Sequence, residues 1–441
     1  MQEIAFDAAL ETALDSLLND RLALLAGAGL SMAPPSSLPS ATDLAATAKQ
    51  KYDATFGASR PPLPVRVEDQ AEFFFQRGEL ETVYFNKYID WHAFAGVPNC
   101  GHEAVADLLL VRAIQTAITT NVDRLIEIAG EHLLGHVGAG IDGHEVAAFP
   151  PDVKPLLKIH GCRSRPNTMV WAPGQPPVPP VAQRIANSAT WLNAQLLSRD
   201  LLIIGYWTDW DYLNKVLANT LGAVYPARVL VVDPANGALF AGKAPDLYAL
   251  GQRATTAFLH VQASGADFLK SLRLHFSKSF VRRVLYQGST EYLSETGTNP
   301  AAAWTEPPNL DNTTLWQIRR DLEGRIPNEP AQARNPPDEP LLGLTLLQLQ
   351  ACGAVSDGPY WQLNGRRVRV LRAANKLLHR VEAEFEREIA PTIAPDIVIA
   401  VGAEAQSLPK NIARAVTPPS IARGDSSRWL TRPDAVQELG L

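Results

Sequence analysis

Cysteine is nearly missing from this chain: Cys100, Cys162 and Cys352 are the only three in 441 residues, and they lie far apart. That excludes a disulfide framework and a four-cysteine zinc site, and it fits a reducing compartment. Long apolar runs are missing too; none approaches the roughly 20 residues that cross a bilayer. The opening residues, Met1-Gln-Glu-Ile-Ala-Phe-Asp7, hold no signal-peptide core, so a cytoplasmic protein with no membrane partner is expected. Positive charge is not in excess. The net charge of −6 provides no global basic field to draw nucleic acid, although a local patch stays open.

What is present is an ordinary globular composition, 46% hydrophobic and 20% charged, in a chain long enough for two domains. Apolar residues at helical spacing predict a helix within residues 4–20. Compact apolar runs then recur at Leu22–Ala26, Thr116–Thr119, Leu156–Ile159, Leu201–Ile204, Arg228–Val232 and Ala257–Val261. Helix-like segments such as Glu103–Ile114, Ser188–Leu197 and Tyr212–Leu221 separate several of them. This alternation predicts an α/β fold, a Rossmann-like parallel sheet with helices on both faces. Ligands of such sheets sit at the carboxyl ends of the strands.

Pro34, Pro35 and Pro39 argue against a regular helix directly after the first strand. The next helix is expected to start at Ser40, with Asp43 as its capping-box partner. The aromatic-rich residues of about 50–100 read as a helical insertion with a small core of its own. A proline-rich zone from Ile326 to Pro340 reads as a spacer. The expected division is residues 1–285, a linker at 286–340, and a smaller α+β domain at 341–441. In that last domain Tyr360–Leu371 alternates like a hairpin about Asn364-Gly365, and Ala373–Ile389 reads as a charged helix.

Four strand ends carry residues with chemistry. The first runs into Gly27-Ala28-Gly29-Leu30-Ser31, whose bare backbone lets a phosphate approach and whose amides are expected to cradle it. An ordinary glycine-rich turn is the alternative. The second strand end gives Thr120, Asn121 and Asp123; the Asn121 amide can bind a ribose or position a water, and Asp123 can accept from ribose hydroxyls or orient Asn121. A turn satisfying its own backbone is the alternative there. The third ends in His160-Gly161, a histidine whose ordinary pKa suits proton transfer at neutral pH. The fourth gives Gly205, then Asp209 and Asp211, carboxylates equally readable as helix caps. Asp233, ending another strand, is placed to bind an adenosine ribose.

In this order the motifs resemble the sirtuin-like family: Gly-Ala-Gly-x-Ser, then Thr-x-Asn-x-Asp, then a strand ending in His-Gly, then a strand ending in a glycine turn. Pro98-Asn-Cys-Gly-His102 also looks like that family's Pro-x-x-x-His helix. The resemblance spans about residues 10–285. It implies binding of NAD+ as substrate and cleavage of its nicotinamide–ribose bond, with Asn121 and His160 as catalytic residues. Gly27, Ala28, Gly29, Ser31, Thr120, Asp123, Gly205, Asp209 and Asp233 would then line the dinucleotide site. At Gly205 the family serine is replaced by Trp207.

Deacylase members carry paired cysteines for a structural zinc after the His-Gly signature; here that interval holds only Cys162 and a proline loop. No zinc is therefore expected. The chain looks like the zinc-free bacterial branch, whose members consume NAD+ in antiphage defence. NAD+ hydrolysis to ADP-ribose and nicotinamide is the expected reaction, against an NAD or ADP-ribose sensor without turnover or a zinc-independent deacylase. Effectors of that branch stay silent until a partner activates them, such as a prokaryotic Argonaute or a HerA-type ATPase, and act as oligomers. Control is expected in the C-terminal domain. Its arginine-rich segment at 364–372 reads as a solvated strand face or a protein-docking strand, and less readily as a nucleic-acid wing, so nucleic acid is expected to act through the partner.

Overall fold

The computed structural model describes residues 1–205, 211–324, 338–385, 394–404 and 427–441, with the backbone alone for Ala58 and residues 211–215. The chain divides into two compact units, Met1–Leu272 and Arg273–Leu441.

Among the described residues the first unit is built on eight parallel strands: β1 (Gln2–Glu3), β2 (Leu22–Ala26), β3 (Thr116–Thr119), β4 (Ala139–Gly140), β5 (Leu156–Lys158), β6 (Asp200–Ile204), β7 (Arg228–Asp233) and β8 (Ala257–Gln262). Their order across the sheet is β1-β8-β7-β6-β2-β3-β5-β4, with every pairing parallel. Strands β2, β3, β5 and β6 are buried at every residue, which is why they read as unbroken apolar runs. The chain leaves β2 toward β3 and β5, then returns to place β6 on the other side of β2. The carboxyl ends of β2, β3 and β6 therefore meet where the winding reverses, the usual ligand crevice of an open parallel sheet.

The expected strands appear with small shifts at their ends, whereas the helix expected at Ser188–Leu197 begins at Val181 and the one expected at Glu103–Ile114 spans Cys100–Leu110. One unpredicted helical turn, Gly29–Met32, precedes the proline loop. The next helix, Ala41–Phe56, begins at an Ser40 N-cap with the reciprocal Asp43 bond in place. The insertion is indeed a small aromatic core: Tyr52, Phe74, Tyr84, Phe85 and Tyr88 are buried, and Phe74 stacks on Tyr84 at 5.1 Å. This core also takes in Val122 and Leu125 beyond β3, and Met169 and Ala172 beyond β5. It thereby braces two of the loops that carry candidate site residues.

Among the described residues the second unit has five strands: β9 (Val355–Asp357), β10 (Tyr360–Leu363), β11 (Arg366–Arg372), β12 (Ile397–Val401) and β13 (Arg428–Thr431). Their order is β13-β12-β11-β10-β9, parallel from β11 to β13 and antiparallel from β9 to β11. The hairpin turns at Asn364 and Gly365, both at positive φ, as the Asn-Gly pair demands.

Three expectations need correction. The division falls at Leu272, and residues 286–323 form no spacer. The helices Gly265–Thr296 and Asn312–Glu323 occupy them, burying Tyr292, Leu315, Ile318 and Leu322 in the second unit's core. Most of the proline-rich zone lies outside the described residues. The charged helix starts at Leu378, not Ala373, because Ala374 and Asn375 take left-handed conformations that break it. Nor does the arginine segment form one solvated face. Arg369 makes a bidentate pair with Asp321 at 2.7 Å and Arg372 bonds Asp338 at 2.7 Å, all buried; Arg366 and Arg367 are the outward members. Half of its cationic charge is neutralised inside the unit, which removes the basis for a nucleic-acid wing.

Candidate functional site

Strand β2 ends against β6. Gly27 N donates to Ile204 O and Gly29 N donates to Gly205 O, each at 2.8 Å. Leu30 N, Ser31 N and Met32 N donate back to Gly27 O and Ala28 O within the helical turn. The amides of Gly27, Gly29, Leu30, Ser31 and Met32 are thus spent inside the fold, and of the expected cradle these bonds leave the Ala28 amide. What the turn offers a ligand is backbone free of side chains. The two turns also need glycine: Gly205 has φ +61°, and a Cβ on Gly29 would stand 2.9 Å from Gly205 Cα.

Ser31 reaches the loop after β3. Its Oγ donates to Asp123 Oδ2 at 2.9 Å and accepts from Asn121 Nδ2 at 2.9 Å. His102 Nε2 lies 3.1 Å from the same oxygen, while Asn99 N donates to His102 Nδ1 at 3.2 Å. The backbone donor fixes the tautomer, so His102 carries its proton on Nε2 and donates to Ser31. Burial, with the Lys158 charge, pushes His102 well below the ordinary histidine range despite the opposing pull of Asp123. Asp123 Oδ1 accepts from Leu125 N at 3.0 Å. Lys158, buried at the end of β5, donates to Asp123 O and to Glu127 Oε1, the latter at 3.0 Å. The Asn121–Asp123 loop is thereby held from both sides.

His160 is buried, only 3% exposed. The Thr120 backbone holds its ring, and Nε2 has no hydrogen-bond partner. That nitrogen is the lone-pair end, because the ring proton faces Thr120. Burial first, and then the Arg184 charge, lowers its pKa to about 4, against the Thr120 bond. His160 is therefore neutral and basic in form at pH 7. Asn121 Oδ1, one residue beyond Thr120, is likewise buried without a partner. Two buried acceptors without a donor thus follow the neighbouring strands β3 and β5.

Asp233 ends β7, one strand beyond β6, and is buried; Oδ1 accepts from Ala235 N at 2.8 Å. Burial raises its pKa, opposed by that bond and by His260. Asp209 lies outside the described residues, as does the side chain of Asp211. The structure thus brings Gly27, Ala28, Gly29, Ser31, Thr120, Asn121, Asp123, His160 and Gly205 to adjoining strand ends and sets Asp233 one strand away. Sequence reasoning noticed His102 only as part of a motif and gave Lys158 and Arg184 no role. Among the described residues no group of three or more His, Cys, Asp or Glu is placed to hold a metal ion.

The sequence matches no protein-family model, and no curated protein resembles it. Solved structures do. A Sir2 homologue–NAD complex aligns at 16% identity and TM-score 0.34, over 61% of this chain and 94% of that one. A Sir2–p53 peptide–NAD+ complex aligns at 16% and 0.33, over 60% and 96%. Sir2 with the inhibitor EX-527, 2′-O-acetyl-ADP-ribose and deacetylated p53 peptide aligns at 15% and 0.34, over 59% and 96%. The likeness concerns chain path alone, and the ligands named belong to those proteins.

Proposed function

We propose that the protein is an NAD+ hydrolase, cleaving NAD+ to ADP-ribose and nicotinamide. The observation that carries this reading is the pair of buried, donorless acceptors, Asn121 Oδ1 and His160 Nε2, at neighbouring strand ends. A group bearing O–H donors would satisfy both, as a ribose hydroxyl and an attacking water do. The ordered motifs of the sequence supply the choice of NAD+.

The dinucleotide would run along the crevice, its pyrophosphate against the bare Gly27–Gly29 backbone and its adenosine ribose toward Asp233. Thr120, Asp123 and Gly205 complete the wall in this reading. The C1′–N bond breaks and nicotinamide leaves neutral. Water held by Asn121 Oδ1 adds to C1′, and its proton passes to His160 Nε2. A carbonyl-type acceptor beside the ribose also suits the cation-like transition state.

The 3% exposure of His160 supports a silent resting state, since a base so enclosed must be uncovered before it meets a ribose. We infer activation by a protein partner or by assembly, with a prokaryotic Argonaute or HerA-type ATPase as the partner class, in antiviral defence by NAD+ depletion. The test is incubation with NAD+, alone and with such partners, with chromatography of the products. Nicotinamide release without acyl-peptide, reduced about 10²–10⁴-fold by Asn121→Ala and by His160→Ala in folded protein, supports the reading. No release under any activating condition would sink it.

A further inference from the structure

Asn121 and His160 sit on different chain segments, so their relative placement depends on how those segments are tied. Backbone bonds tie them at two points. Ile159 N donates to Thr119 O at 3.1 Å, and Arg163 N donates to Val122 O at 2.8 Å. A side chain adds a third tie. Lys158, paired with Thr119 across β5 and β3, donates from Nζ to the Asp123 carbonyl oxygen. Asn121 and His160 both fall inside this frame, the first between Thr119 and Val122 and the second between Ile159 and Arg163. A lysine there is costly. It is 1% exposed, and a buried ammonium persists only when paired and hydrogen-bonded. Glu127, in the first turn of the helix Leu125–His132, supplies the counter-charge at 3.0 Å and is itself buried.

We propose that Lys158 is a positioning residue: its ammonium, balanced by Glu127, holds Asp123 O and so fixes the Asn121 loop relative to His160. The proposal rests on the reading of Asn121 and His160 as the reacting pair.

An apolar side chain would fill the same space at less cost, but it would leave Asp123 O without a donor. The helix that follows does not supply one. Its first bond runs from Ile128 N to Arg124 O at 2.9 Å, one residue too late to use Asp123 O. Asp123 is buried, so water is a poor substitute. Its carboxylate is fixed as well, Oδ2 accepting from Ser31 Oγ and Oδ1 from Leu125 N. All three oxygens of Asp123 are thus held, and Asn121, two residues earlier, inherits that rigidity. Lys158 supplies the hold that originates on the His160 strand.

The experiment compares Lys158→Met with the double variant Lys158→Met/Glu127→Leu in the full-length protein. The single variant leaves Glu127 buried without its cation and should be the less stable. The double variant removes both charges and should regain stability. Neither returns a donor to Asp123 O. NAD+ turnover should therefore fall on the order of 10²-fold in both, with KM little changed. In an Asn121→Ala background the double substitution should cost no further turnover. A second readout needs no activity: hydrogen exchange of the Asn121 side-chain amide by NMR, assigned through Asn121→Ala. Its Nδ2 hydrogens, which serve the bond to Ser31, should exchange about tenfold faster in the folded double variant. Turnover recovered in the double variant would mean that the pair serves stability alone, and overturns the proposal. A full second loss in the Asn121→Ala background, or unmoved Asn121 exchange, overturns it too. Absence of NAD+ cleavage in every protein, the unsubstituted one included, refutes the function instead and leaves the exchange measurement to decide the role of Lys158.

Discussion

Asn121 donates from Nδ2 to Ser31 Oγ at 2.9 Å, and this contact decides which end of its amide is left for a ligand. Ser31 has one proton, given to Asp123 Oδ2, and two lone pairs, filled by Asn121 and by the His102 N–H. A flipped Asn121 would set its carbonyl against an oxygen with no proton to offer. The amide oxygen must therefore face away from Ser31, where it has no partner.

Ser31→Ala should accordingly do two things. It strands the buried Asp123 Oδ2 and His102 Nε2, at a cost of about 1–3 kcal/mol in unfolding free energy. It also frees the Asn121 amide to rotate, and a loss of orientation of this kind lowers turnover on the order of 10²-fold. Urea denaturation reads the first effect and NAD+ cleavage the second. In an Asn121→Ala background the serine change should cost no further activity; a full second loss there would mean that Ser31 acts on the ligand directly.

Acid should weaken the first unit through His160. Its folded-state pKa of about 4 lies below the ordinary histidine value of 6.5. Between those values the unfolded chain holds a proton that the folded one does not. Stability is thus fully present above pH 6.5 and falls as pH drops, by about 1.4 kcal/mol per unit until pH 4. Because His102 is depressed to about 4 as well, His160→Gln should remove about half of the combined slope in denaturation curves taken at pH 7, 6 and 5. Parallel curves for the variant and the unsubstituted protein would refute the assignment.

In the second unit the buried pair of Arg369 and Asp321 should be mutually dependent. Both guanidinium–carboxylate bonds are 2.7 Å, and both side chains are almost fully enclosed. Asp321→Ala leaves an unmatched buried cation and should cost about 3–5 kcal/mol. Replacing both, as Arg369→Met with Asp321→Leu, should recover most of it. Binding to duplex or single-stranded nucleic acid should not follow these arginines, since their charge is spent internally.

The sheet was legible because strands covered on both faces are written as continuous apolar runs, and β2, β3, β5 and β6 are of that kind. The strand ends were legible because Gly27, Asn121, His160 and Gly205 break those runs with residues that strands avoid. The tiny strands β1 and β4 have two residues each, too few for any period. The supporting groups were hidden for another reason. His102 lies 71 positions from Ser31, and Lys158 lies 31 from Glu127. A pairing at such distance leaves no local pattern, and a lysine in a strand or an arginine on a helix reads as surface charge. Arg369 and Arg372 misled the reading in the same way, since their partners Asp321 and Asp338 sit on segments 48 and 34 residues earlier.

The contact between Gly29 and Gly205 gives the last prediction. The two turns touch backbone to backbone, with Gly29 N donating to Gly205 O at 2.8 Å. A Cβ on Gly205 would meet Leu30 N at 2.6 Å, and its φ of +61° strains any side chain. Gly205→Ala therefore adds a clash to a conformational penalty of about 1–2 kcal/mol. Neither neighbour can yield, because the atoms met are backbone. The substitution should push the β2 and β6 turns apart, lowering unfolding free energy by about 2–4 kcal/mol. It should also lower ADP-ribose affinity, measured by calorimetry on folded protein well below the melting temperature. Alanine tolerated at both positions with unchanged affinity would mean that this junction does not shape the crevice.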